Sequence, residues 1–73
     1  MKKETLELAF VALKAQDKMF RENEQVLTKA IERTSNLDEL LRLKKLRLEN
    51  CNLRLDNSNA MLEVCNELLI MNR

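Results

Sequence analysis

Few side chains in this sequence suit covalent chemistry, and their spacing argues against each use. The two cysteines, Cys51 and Cys65, stand fourteen residues apart. On one helix that is about 21 Å of axial rise, far beyond disulfide reach. There is no histidine, and no other ligand is spaced to complete a metal site with the thiols. Small buried packing residues are the expected role, with a symmetric interchain disulfide or redox switch as the alternative. Glycine is also absent, so no phosphate-cradling loop exists, and no nucleophile is paired with a base. The expectation is a protein without enzymatic activity, metal or cofactor.

A second candidate is the basic stretch Arg42, Lys44, Lys45, Arg47 and Arg54. A nucleic-acid site needs such residues on one exposed face, preferably with aromatics between them. The only aromatics are Phe10 and Phe20, and the stretch lies within a heptad pattern rather than ahead of it. Arg42, Lys45, Arg47 and Arg54 are therefore read first as a solvated flank or as salt-bridge partners for acids of the first helix. Contact with an acidic protein partner comes second, and nucleic acid last.

The asparagines are less ordinary. Asn50 and Asn57 form one series at heptad spacing, and Asn52, Asn59 and Asn66 form another. Asn is a poor helix former. Its recurrence marks either a solvated face or hydrogen bonds across a helix interface that fix register at some cost in stability.

These residues hang on one repeat. Leu41, Leu48, Leu55, Leu62 and Leu69 recur every seventh position through LENCNLR, LDNSNAM and LEVCNEL. With no Gly and no Pro in the chain, a strict seven-residue period reads as a helix with a packing seam. Taking the ladder as position a, position d holds Leu37, Lys44, Cys51, Ser58, Cys65 and Asn72. These are mostly small or polar, whereas a parallel leucine zipper prefers a bulky d. In a parallel pair Arg47 and Arg54 would face Asn52 and Asn59, with no opposite charges. The ladder is expected to pack on a different helix, or antiparallel on its own copy. A second stripe of Leu43, Leu46, Leu53, Ala60, Val64 and Met71, interrupted by Asn50, Asn57 and Glu67, lies on the face roughly opposite. A helix with two apolar faces needs two neighbours.

Upstream, Leu6, Phe10, Leu13, Phe20, Leu27 and Ile31 alternate in steps that define another seam, with Asp17 and Glu24 also on it. Leu8, Ala12, Ala15, Met19, Val26 and Ala30 make a neighbouring stripe. The break falls at Thr34-Ser35-Asn36, residue types that favour caps over helix interiors. Asn36 with Glu39 resembles a capping box in outline, and Ser35 with Asp38 is an equally fair reading. The two seams also differ in register by three residues across it. A turn accounts for that, and a stammer in one long helix is the other reading.

Seventy-three residues with 45% hydrophobic and 34% charged content match long helices rather than sheets. A chain this short seldom reaches more than about 3–5 kcal/mol from its own core. Net charge is +1, which gives no global field toward nucleic acid. The opening MKKETLELAFVALKAQ has two lysines before an apolar stretch, but Glu4, Glu7 and Lys14 interrupt it, so a helix is expected there rather than a targeting segment. No apolar run reaches the ~18–20 residues that span a bilayer, and the expected compartment is a reducing cytosol.

The predicted fold is all-α. A single domain forms a helical hairpin, with helices over about 3–33 and 37–71 and a turn at about 34–36. It is expected to assemble as an antiparallel dimer, four-helix bundle or longer coiled coil. The expected oligomer core is the leucine ladder together with Phe10, Leu13, Phe20 and Leu27. Leu43, Leu46, Leu53, Val64 and Met71 form the expected partner surface. The corresponding function is a small protein-binding module, such as a regulator, inhibitor, chaperone or adaptor. It would partner itself and another protein, without membrane or nucleic acid. A purely structural oligomerisation element and a nucleic-acid-binding helical dimer are the alternatives.

Overall fold

A computed structural model describes residues 2–72 of the chain. Two helices, α1 (Lys3–Arg33) and α2 (Leu37–Met71), fold back on each other as a hairpin. It measures 55 × 14 × 14 Å, the length of α2 and the width of little more than one helix pair.

The turn between them needs no glycine. Thr34 and Asn36 both sit in the extended region, and no described residue has a positive φ. The Thr34 amide closes α1 by donating to the Ala30 carbonyl, and the Asn36 amide donates to Thr34 Oγ1 at 3.3 Å. Asn36 then caps α2, its Oδ1 accepting from the Glu39 amide at 2.9 Å. The capping box is half formed, because the Glu39 carboxylate pairs with Arg42 at 2.8 Å instead of reaching back to Asn36. Asp38 and Glu39 in the first turn also complement the positive end of the helix.

The α1 face turned toward α2 follows its predicted seam. Leu6 is buried, and Phe10, Leu13, Asp17, Phe20, Glu24, Leu27 and Ile31 are half-buried. The α2 face turned inward is not the leucine ladder. It runs through Leu43, Arg47, Asn50, Arg54, Asn57, Met61, Val64 and Leu68, again in alternating steps of four and three. Only Leu6 and Leu43 among the hydrophobic residues, and only Asn50 and Asn57 among the polar ones, are fully buried within the described residues. The hairpin has a seam but almost no core.

Candidate interaction surfaces

The inner seam is polar through its middle and apolar toward its ends, and α1 dictates this. Its packing face carries Asp17 and Glu24 one heptad apart. A carboxylate pressed against leucines would lose hydration without gaining a partner, so the ladder face cannot cover α1. The face bearing Arg47, Asn50, Arg54 and Asn57 can. Arg54 reaches both acids, with Nε 3.3 Å from Asp17 Oδ1 and Nη1 3.3 Å from Glu24 Oε2. Asp17 also takes Arg21 Nε at 2.9 Å on its other oxygen. Arg47 Nη1 donates to Thr28 Oγ1 at 3.4 Å.

The buried asparagines bond to backbone. Asn50 Nδ2 donates to the Phe20 carbonyl at 2.8 Å, and Asn57 Nδ2 to the Leu13 carbonyl at 2.8 Å. A helical carbonyl has a second lone pair beyond its intrahelical bond, so these contacts cost α1 nothing. Both donors and both acceptors are one heptad apart, which sets the antiparallel register at two points. On that register Leu6 is level with Val64, and Leu27 with Leu43. Among the described residues no buried side-chain polar atom lacks a partner.

This arrangement redistributes several sequence expectations. Leu43 and Val64, assigned to a partner surface, face α1 instead, because they share the heptad stripe of Asn50 and Asn57. Leu46, Leu53 and Met71 from the same group remain exposed. Phe10, Leu13, Phe20 and Leu27 meet that inner stripe rather than the ladder with which they were grouped. The basic residues do not form one exposed patch. Arg54 and Arg47 turn inward to α1, Arg42 pairs locally with Glu39, and only Lys45 of the four points out without a described ion pair. Of the asparagines, Asn50 and Asn57 bridge the helices, while Asn52, Asn59 and Asn66 are exposed. Cys51 is exposed rather than buried, and Cys65 is half-buried. Arg54 pairs with Asp17 and Glu24 of α1, in keeping with the reading of the basic stretch as a salt-bridge partner for α1 acids, while Arg47 meets Thr28 rather than an acid.

Besides the exposed α1 side chains Leu8, Val11 and Met19, two apolar surfaces involve α2 among the described residues. The ladder is the larger. Leu41, Leu48, Leu55, Leu62 and Leu69 are each 59–63% exposed, and they run along α2 for about 42 Å by helical rise. Their neighbours on either side are small or neutral: Cys51, Ser58 and Cys65 along one edge, Asn52, Asn59 and Asn66 along the other. The second surface is a shallow groove of about 350 Å³ on the opposite side of the hairpin, lined by Asn23, Val26, Leu27, Leu46, Glu49, Asn50 and Leu53. No described group of His, Cys, Asp and Glu is placed to hold a metal, and no described helix is long and apolar enough to cross a membrane. The chain matches no family model, and comparison with curated proteins and with solved structures finds no similar protein. The fold itself defines a class, an all-α helical hairpin with an apolar stripe on its outer face.

Proposed function

We propose that this chain is a non-enzymatic protein-binding module that self-associates through the leucine ladder. It presents the Val26, Leu46 and Leu53 groove to a second protein, as a regulator or adaptor would. One observation carries the reading: five leucines in strict heptad register have no cover within their own chain. Burying a leucine fully is worth about 1.5–3 kcal/mol. At roughly six-tenths exposure, two such ladders facing each other would gain on the order of 9–18 kcal/mol gross. That compares with about 4–15 kcal/mol for lost rotational and translational freedom, so burial of the ladder is of the size that self-association needs. The groove suits the apolar edge of a partner helix lying along the hairpin. The nucleic-acid reading has less support, since its arginines are engaged with α1 and Glu39.

Sedimentation equilibrium on two double variants tests the assignment. Leu55→Asp with Leu62→Asp is expected to convert the chain to a monomer at micromolar concentration. Leu46→Asp with Leu53→Asp, on the other face, is expected to keep the parent mass. If both retain it, or only the second loses it, the ladder is not the self-association surface.

A further inference from the structure

We infer that the occupant of the ladder is a second copy of this chain, lying antiparallel with the twofold axis between Asp56 and Asn57. The inference rests on the self-association reading and adds the direction and register of the pair.

The first observation is area. A compact monomer of 8.6 kDa exposes about 4,700 Å² by the scaling of folded surfaces. The hairpin exposes 5927 Å². The excess of about 1,200 Å² exceeds the ~800 Å² that each partner buries in a standard stable interface. The ladder and its two small-residue edges are the longest continuous apolar strip available to absorb it.

The second observation is self-complementarity. An isologous interface must match itself after a twofold rotation. Along the seam the order is Leu48, Cys51, Leu55, Ser58, Leu62, Cys65. Read backwards, large and small simply exchange. In a parallel pair each position meets its own copy, so Leu layers alternate with Cys and Ser layers, leaving voids at the small ones. Lys44 would also face Lys44. Reversing one copy sets each a position level with a d position. Leu48 then meets Cys65 of the second copy, Leu55 meets Ser58, and Leu62 meets Cys51, and every central layer has one large and one small side chain.

The third observation is charge. In this register the long polar residues of the seam fall at its ends, where Lys44 is level with Leu69 and Asn72 with Leu41. A shift of one heptad one way buries Lys44 against Leu62; a shift the other way leaves Leu41 uncovered. The flanking Asn52 and Asn59 of the two copies come within two residues of level, about 3 Å of rise, across the axis. Their amides carry donors and acceptors but no charge, so nothing repels.

A spin-label distance tests this directly. Lys45 is exposed and flanks the seam. In the full chain with Cys51→Ser and Cys65→Ser, a nitroxide on Lys45→Cys is expected to show one interchain distance of about 35 Å from helical rise. A parallel pair would give about 10–15 Å, from the spacing of packed helices, and heptad-shifted antiparallel pairs would give about 24 or 45 Å; each of these overturns the inference while leaving self-association intact. A monomeric mass with no dipolar coupling removes the self-association reading as well. Oxidation of the unlabelled wild-type chain gives an independent check that needs no substitution. In the proposed pair the Cys51 thiols lie about 16 Å apart along the axis, beyond disulfide reach. No Cys51–Cys51 linkage is therefore expected in the dimer, and its rapid formation there would overturn the proposed direction.

Discussion

Asn50 and Asn57 show how a buried polar residue acts in this fold. Each donates an amide to a carbonyl that already has its helical partner, so the bond adds direction more than energy. Replacing both, as Asn50→Leu with Asn57→Leu, is expected to leave thermal stability unchanged or higher by up to about 1 kcal/mol. The same variant is expected to loosen the register of α1 on α2, because two register-setting contacts are gone. Chemical denaturation and amide hydrogen exchange read the two effects separately. A loss of ~1–3 kcal/mol would mean instead that the asparagines hold the hairpin together. The leucines make the opposite contrast. Leu6 is 2% exposed and Leu8 is 70% exposed. Leu6→Ala is expected to cost about 2–5 kcal/mol, as much as a chain of this size holds in reserve, whereas Leu8→Ala stays within about 0.5 kcal/mol. Denaturation midpoints for the two variants decide whether the N-terminal turn of α1 is anchored by that one side chain.

Among the elements, α2 carries the specificity and α1 the amphipathic cover. The break at Thr34 to Asn36 could be read from residue types, because three consecutive side chains compete with the helical backbone there. Its Asn36 cap forms as expected, but the reciprocal Glu39 contact does not, since Arg42 lies one turn on and offers a charge-assisted partner at 2.8 Å. Asn36→Ala is expected to destabilise the hairpin by about 1 kcal/mol, measurable by circular dichroism as a lower midpoint with little change in helicity at low temperature. Which face of α2 meets α1 was harder to read. Periodicity identifies stripes but ranks them by hydrophobicity, and that ranking favours the five leucines. The pairing follows the less apolar stripe because two carboxylates on α1 must meet cations, and Arg54 sits where it reaches both.

At the scale of the molecule, a 55 Å hairpin with two buried hydrophobic side chains among its described residues has too little interior to stand far above its unfolded state. Its stability should therefore depend on concentration. A hundredfold dilution shifts a dimer's balance by about 2.7 kcal/mol, shared between two chains. For a chain of this size that corresponds to a fall in Tm of about 5–10 °C. A Tm that does not move with dilution would show that the hairpin is stable alone and that the exposed ladder serves another end.

Composition and spacing were enough for the all-α class, the two helices, the place of the turn and the inward seam of α1. These follow from local backbone preference and from one-dimensional periodicity, and neither needs a partner to be expressed. The facing of α2 needed three dimensions. A helix with two apolar stripes has two self-consistent ways to pack, and only the antiparallel juxtaposition of Asp17 and Glu24 with Arg54, and of the Leu13 and Phe20 carbonyls with Asn57 and Asn50, selects between them. Long-range pairing of charges and hydrogen bonds thus turned the leucine ladder outward, where no part of the described hairpin covers it.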